Sequence, residues 1–396
     1  MNETMRRLGA KRSVIRELFE YGNKRKAEIG AENVFDFSLG NPSVPAPDAV
    51  GQELIRLLTE TPPVQLHGYT SAQGDANVRR AIADYLNETY DAKADPNLLY
   101  LTVGAAASLT VSLTALLNPD DEVILLAPFF PEYRVFVERT GAKVVSVLSD
   151  METLQPDFGA LEKAFSPRTR VVLVNSPNNP TGAVLTEESV VRLTDMMKAK
   201  EREFGAPIYL ISDEPYRELV YGDVQVPYLT NYYDNTLVCY SFSKSLSLPG
   251  ERIGYILVSS KVQNAGSIYE AVCGAGRALG FVCAPALFQK LIPACLGKTA
   301  DLTVYGTNRR LLFDALTEYG FRVVPPDGAF YLFVKAPEAD AVAFAERAKG
   351  MELLLVPSND FGCEGFVRIS YCVSTEQIKR SLPAFRRLAE SYGLVK

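Results

Sequence analysis

The sequence predicts an α/β protein with a mostly parallel sheet flanked by helices, and three observations carry that expectation. Short apolar runs alternate with longer helical patterns through the middle of the chain. Most of those runs stop at a loop rich in Gly, Pro, Asn, Ser or charge. Residues 300–396 then change pattern. At ~150 residues per domain, a chain of 396 residues holds two or three domains, or one large domain with an appendage. No internal repeat, low-complexity tract or long Gly/Ser linker divides it.

The N-terminal segment carries Arg6, Arg7, Lys11 and Arg12, which read as a solvated helix face. The apolar runs follow: LLYLTV (98–103), EVILLA (122–127), RVVLVN (170–175), IYLIS (208–212), TLVCYS (236–241) and GYILVS (254–259). Between the first two, Leu109, Leu113, Leu116 and Leu117 fall on one helical stripe. Residues 300–396 read as helix, strand, helix, strand, helix, with YLFV and VRISY as strands. Ser374 and Gln377 have the spacing of a capping box opening the last helix. Pro383 interrupts the stripe Ile378, Leu382, Phe385, Leu388, which predicts a kink or short break. The expected organisation is a large unit over 46–290 and a smaller one built from 1–45 and 291–396.

Composition excludes several chemistries. The formal charge of −6 and pI near 5.2 argue against a binder of nucleic-acid phosphates. Hydrophobic residues at 47% and charged residues at 22% fit an ordinary globular protein with a large core. His67 is the single histidine, so histidine-based metal motifs are impossible, and it sits in VQLHGYT without a nearby nucleophile motif. A loop histidine is the plainer reading. Proton transfer must then use Lys, Tyr, Asp or Glu, or a cofactor. Cys239, Cys273, Cys283, Cys295, Cys363 and Cys372 form no CxxC pair and read as reduced, mostly buried thiols; no metal is expected. The start, MNETMRRLGAKRS, lacks the apolar stretch of a secretory signal, and no run of 18 apolar residues occurs. A cytoplasmic protein without a membrane partner is expected.

Ligands of open α/β sheets bind beyond the carboxyl ends of the strands, so the loops VGAAAS, APFFPEY, NSPNNPTG, SDEPY and SFSKS should converge. In SFSKSLSLPGER, Lys244 follows an apolar strand, with Ser241, Ser243, Ser245 and Ser247 around it and Arg252 eight residues on. A lysine on a rigid scaffold can form an imine with a carbonyl cofactor, and the hydroxyls and Arg252 suit a phosphate. Asp213 ends a strand and Tyr216 follows. The pair is either a carboxylate and phenol aimed at a nitrogen-containing ring, or a helix cap followed by a core tyrosine. Asn179, held extended by Pro180, is either a loop residue or an amide donor to a ligand oxygen. Gly104, Ala105 and Ala106 could offer N–H groups to an anion at the start of the Leu109 helix. Phe129, Phe130 and Tyr133 are core residues unless a flat ring is stacked there.

Taken in order, these segments resemble the class I and II aminotransferases, fold-type-I pyridoxal-phosphate enzymes, over nearly the whole chain from FSLGNP (37–42) to VRISY (367–371). SFSKSLSLPGERIGY is close to the family's cofactor-lysine signature, and NNPTG and DEPY match. The resemblance implies a large domain with a mostly parallel seven-stranded sheet flanked by helices, plus a smaller α+β domain. It implies pyridoxal 5′-phosphate as cofactor and an L-amino acid and a 2-oxo acid as substrates, exchanged by a ping-pong mechanism. It makes Lys244 the Schiff-base lysine and proton shuttle, Asp213 the partner of the pyridine nitrogen, and Tyr216 and Asn179 donors to the ring hydroxyl oxygen. Ser241, Ser243, Arg252, Ala105 and Ala106 would hold the phosphate, Gly104 preceding them, and Phe130 would stack on the ring. Arg368 would grip the substrate α-carboxylate, with the Gly40 backbone beside it. Tyr69 would reach the phosphate of a neighbouring subunit, which implies a homodimer with shared active sites.

Substrates of the aspartate/glutamate type are favoured by similarity to aspartate-aminotransferase-like members, but GAAAS carries no lysine for a distal carboxylate. Arg277, in AGRALGF, is a candidate for that role across a dimer, or an arginine paired with a nearby acid or carbonyl. A cystathionine-lyase-like C–S β-lyase shares the lysine, aspartate and arginine signature and is the alternative reading. A regulatory module would need a DNA-binding extension that ~40 residues before the core do not provide. A dehydrogenase lacks its GxGxxG after the first strand.

Overall fold

The computed structural model describes residues 1–10 and 13–395. Seven strands form the main sheet: β1 (Leu99–Thr102), β2 (Glu122–Ala127), β3 (Lys143–Leu148), β4 (Thr169–Asn175), β5 (Tyr209–Asp213), β6 (Thr236–Ser241) and β7 (Gly254–Val258), in the order β1-β7-β6-β5-β4-β2-β3. β7 is antiparallel to both neighbours, and the remaining pairs are parallel. Because β1 and β6 flank β7, they run the same way. The carboxyl ends of β1, β2, β4, β5 and β6 therefore share one edge of the sheet.

Alternation explains how the sheet is covered on both faces. Val123, Leu125, Val171, Leu173, Leu237 and Cys239 pack with the helix Ala105–Leu116, whose Leu109, Leu113 and Leu116 are buried. The intervening Ile124, Val172, Val174 and Leu210 pack under the helix Glu187–Phe204 through Val190, Leu193 and Met197, one face at helical spacing. Thr186 caps that helix by accepting from Ser189 N, and Gly205 ends it in the left-handed region.

The six apolar runs form strands at the expected places, shifted by a residue at some ends. The edge strand β3 is the addition. Only Val147 of KVVSVL is buried there, so the segment lacks the apolar continuity that marks a doubly covered strand.

Beyond residue 300, helices Thr303–Glu318, Ala341–Lys349 and Thr375–Glu390 pack on a second sheet of β8 (Arg322–Val323), β9 (Tyr331–Lys335), β10 (Val356–Pro357) and β11 (Phe366–Ser370), ordered β10-β11-β9-β8. Its core takes in Phe37 and Val44 from the N-terminal region. Leu291, Ile292 and Cys295 pack instead with Leu99, Leu101 and Leu257 of the large sheet.

Two local expectations are corrected. Ser374 accepts from Gln377 N at 3.2 Å, but Gln377 Nε2 donates to Asp36 O at 3.2 Å rather than back to the cap, so half of the capping box forms. The last helix runs through Pro383 without a break, because Ile378, Phe385 and Leu388 hold one buried face on both sides of it. Arg6 and Arg7 lie on the exposed helix Glu3–Ala10, whereas Lys11 and Arg12 fall outside the described residues. His67 is exposed at the end of the short helix Pro63–His67. All six cysteines are free thiols, four of them buried. Among the described residues no helix is long and apolar enough to cross a membrane.

Candidate active site

At the shared sheet edge lies a cleft of about 520 Å³. It is lined by Gly40, Ala105, Ala106, Phe130, Asn179, Asp213, Tyr216, Ser241, Ser243, Lys244, Arg252 and Arg368. The sheet ends supply most of these, whereas Gly40 and Arg368 come from the side of the second core, Arg368 from β11.

Asp213, the last residue of β5, is buried. Its Oδ2 accepts from the Tyr133 hydroxyl at 2.5 Å, while Oδ1 has no partner among the described residues. Burial pushes the carboxyl up to about 7, against the pull of the Tyr133 hydrogen bond. Burial also raises Tyr133 well above the usual phenol range, so it remains a donor. A buried carboxylate oxygen without a donor fits a protonated ring nitrogen.

Lys244 lies in the short helix Phe242–Ser245, capped by Ser241. Its Nζ donates to Gly40 O at 2.7 Å and sits 5.6 Å from the centre of the Phe330 ring. Burial, with Arg252 and Arg368 adding to it, brings the amine down to about 8. That amine is far more nucleophilic near neutrality than an ordinary lysine. Gly40 thus meets Lys244 directly, and a Cβ there would collide with the Tyr331 hydroxyl.

Arg368 is 2% exposed and has no carboxylate partner among the described residues. Nη1 donates to Asn179 Oδ1 at 3.0 Å and Nη2 to Ser38 O at 2.5 Å; Nε has no partner among the described residues. The guanidinium lies over the rings of Tyr331 and Phe361, 4.9 and 5.4 Å from their centres. A buried cation without an anion suits an incoming carboxylate. Asn179, its Oδ1 occupied, keeps Nδ2 free of partners among the described residues, and its own N donates to Asn175 Oδ1.

Gly104 caps the helix Ala105–Leu116 at φ 87°, and a Cβ there would sit 2.9 Å from Arg252 Nη2. The first-turn N–H groups of Ala105 and Ala106 have no intrahelical acceptor. With the Ser241 and Ser243 hydroxyls and Arg252 on the same lining, they make an anion site of the kind found at helix starts.

Two predicted residues lie elsewhere. Tyr69 is fully exposed, and Arg277, also exposed, lines a separate cavity with Ala72, Gln73 and Cys273. Three contributors lie outside the sequence reading of this site. Tyr133 was read only for its ring. Asn175 donates to Asp213 O at 2.9 Å while accepting from Asn179. Tyr331 pairs its hydroxyl with that of Tyr216 at 2.8 Å. The strand-end rule points to Asn175, the last residue of β4; Tyr331, in a strand of the second sheet, carries no local signal.

At the shared strand ends, a capped lysine, an Asp213 oxygen without a donor and an Arg368 without an anion, among the described residues, meet in one cleft that has the make-up of an enzyme site. The family model for aminotransferase class I and II matches residues 32–385, and the chain belongs to that family: it is an aminotransferase (EC 2.6.1) with the fold of the fold-type-I pyridoxal-phosphate enzymes. It is 32% identical to an aspartate aminotransferase of Thermotoga maritima, covering 93% of this chain and 95% of that protein. It is 31% identical to an aspartate/prephenate aminotransferase of Thermus thermophilus, covering 88% and 89%. The crystal structure of an aminotransferase from Eubacterium rectale superposes with a TM-score of 0.97 at 55% identity, covering 99% of both chains. The Thermus thermophilus aspartate aminotransferase with maleate superposes at 0.85 and 27% identity, covering 97% and 98%. The substrates of an aminotransferase are an amino acid and a 2-oxo acid.

Proposed function

We propose that the cleft holds pyridoxal 5′-phosphate and moves the amino group of an L-amino acid to a 2-oxo acid by a ping-pong mechanism, with aspartate- and glutamate-type substrates favoured. The observation that carries this reading is the grouping, in one cleft, of a lysine brought down to about 8, a buried carboxylate with an orphan oxygen and a buried arginine without an anion. The aspartate aminotransferases among its relatives support the substrate preference.

When bound, pyridoxal phosphate supplies a carbonyl that condenses with amines and a protonated ring that draws electron density from the amino-acid Cα. Asp213 holds the proton on the ring nitrogen, and Tyr133 holds Asp213 in place. Lys244 anchors the cofactor and, once displaced as a free amine, takes the Cα proton and returns it. Tyr216 Oη and Asn179 Nδ2 donate to the ring hydroxyl oxygen, and Phe130 stacks on the ring. Ala105, Ala106, Ser241, Ser243 and Arg252 hold the phosphate, with Gly104 giving the backbone room to approach. Arg368 binds the α-carboxylate as a two-pronged fork beside Gly40. A homodimer, with Tyr69 reaching the partner's phosphate, a cytoplasmic location and a two-unit division belong to the same reading.

The test is to add L-amino acids singly, without acceptor, to the purified cofactor-loaded protein. The expected result is a bleached visible band and one equivalent of 2-oxo acid, with glutamate or aspartate among the reactive amino acids. A protein that binds no cofactor, or that makes pyruvate, ammonia and a thiol from cystathionine with the band intact, overturns the reading.

A further inference from the structure

Tyr331 lines the cleft from the second sheet and has no part in the reaction proposed above. It is 2% exposed, and its hydroxyl lies 2.8 Å from that of Tyr216, itself 5% exposed. Among the described residues neither hydroxyl has another hydrogen-bond partner. The rings of Tyr216, Phe330 and Tyr331 meet edge to face in all three pairs, with centres 5.0 to 5.7 Å apart. Packing therefore fixes both oxygens.

The backbone that presents Tyr331 is held from several sides. Ala329, two residues earlier, is fully buried at φ 54°, a left-handed conformation that alanine rarely adopts. Its N donates to Leu219 O at 2.8 Å, and its O accepts from the Tyr221 hydroxyl at 2.6 Å and the Tyr371 hydroxyl at 3.3 Å. Tyr371 N donates to Phe330 O at 2.9 Å. A strained turn persists where its surroundings over-determine it, and this one delivers Phe330 and Tyr331 to the cleft.

Two phenols carry one proton each, so only one of them donates within the pair. Their surroundings are unequal. The Arg368 guanidinium lies over the Tyr331 ring, 4.9 Å from its centre. Burial raises both phenols, yet Arg368 draws Tyr331 back to about 12, whereas Tyr216 stays well above the usual phenol range. The more acidic phenol is the better donor. Asp213 and the buried Cys372 thiol are the other titratable groups about the pair, with Lys244 beyond the Phe330 ring.

We propose that Tyr331 is a positioning residue: its hydroxyl donates to the Tyr216 oxygen, so that the single Tyr216 proton points into the cleft, at the ring oxygen of the cofactor. This rests on the reading of the cleft as a pyridoxal-phosphate site and deepens it by naming the residue that orients one of its donors. Successive hydrogen bonds polarise one another, so Tyr216 donates more strongly with Tyr331 behind it than alone. A stronger donor to the ring oxygen favours the deprotonated form of the bound cofactor and lowers the pH at which its visible band changes.

The experiment titrates that band with pH, without substrate, in the cofactor-loaded wild type, Tyr331→Phe, Tyr216→Phe and the double variant. Y331F keeps the ring beside Arg368 and removes only the hydroxyl. The expected result is a midpoint raised by about half a pH unit or more in Y331F, and raised further in Y216F. The double variant should match Y216F, because the Tyr331 hydroxyl acts only through Tyr216. KM for a carboxylate substrate should stay within about twofold of wild type in Y331F, since the arginine fork is untouched. A midpoint unchanged or lowered in Y331F overturns this inference and leaves the aminotransferase reading intact; a lowered one means that Tyr216 donates to Tyr331 and is released by the substitution. If Y331F melts earlier than wild type, the double variant decides, because a further shift in the Y216F background belongs to altered packing and overturns the role. A wild type that takes up no pyridoxal phosphate overturns the cofactor reading and this inference with it.

Discussion

Asp213 and Glu214 are adjacent acids, both buried, and their surroundings differ completely. Glu214 Oε2 accepts from Arg217 Nε at 2.5 Å and Oε1 from Ser212 Oγ at 2.6 Å. Arg217 spends its remaining donors on Val226 O and Pro227 O and lies against the rings of Tyr90 and Tyr228. Every charge in that pair is answered by the protein. Asp213, on the cleft side of the same turn, has one oxygen answered by Tyr133 and one by nothing among the described residues. Burial alone therefore does not mark function. A buried charge without a full set of partners among the described residues points to a function.

The largest expected effect comes from Lys244→Ala, which removes anchor and base together. Turnover should fall at least about 10³-fold with the circular dichroism of the fold retained. Substantial residual transamination would detach Lys244 from the chemistry. Next, the two neighbouring acids should respond in opposite senses. Glu214→Ala strands the buried Arg217 and should cost about 3–5 kcal/mol in a urea melt. Asp213→Asn should cut turnover about a hundredfold or more yet stabilise the cofactor-free protein at pH 8. The sign follows from the shift: Asp213 ionises near 3.8 when unfolded and near 7 when folded. Its ionisation thus weakens the fold progressively from about pH 4 to 7 and fully above, and the Asn variant escapes that loss. If both variants lose stability equally, the contrast between the two acids fails.

Smaller effects sharpen it. Arg368→Lys should raise KM for carboxylate substrates about tenfold with less change in kcat, because a fork becomes a point charge. The rate of cofactor loading by the apoprotein should climb as pH rises through about 8, where the Lys244 amine loses its proton. A midpoint near 10 would remove the effect of burial on that amine. Smallest is Ser374→Ala, which should cost about 1 kcal/mol of stability by removing a helix cap remote from the cleft, with kinetics unmoved.

Strands doubly covered by helices were legible, because both faces are apolar and the runs β2, β4, β5 and β6 stand out whole. The edge strand β3 was not, since one covered edge leaves no continuous run. Residues that line the cleft were legible where several fall in one short loop, as in SFSKS and DEPY. Contributors that meet only in space, such as Tyr331 against Tyr216 or Tyr133 against Asp213, leave no trace in local spacing. The same holds for the half-formed cap at Ser374, where Gln377 finds a better partner in Asp36, distant in sequence. Tyr69 and Arg277 have no contact with the chain's own cleft, and a role for them requires a second copy.

The cleft draws its two grips from different cores. The anion cradle of Ala105, Ala106, Ser241, Ser243 and Arg252 belongs wholly to the large sheet, whereas Arg368 rides on β11 of the other. Tenure of the two proposed ligands is thereby separable. On the proposed reading, a rearrangement between the cores would alter the hold on the α-carboxylate and spare the hold on the phosphate, so that exchange of substrate would not require release of the cofactor.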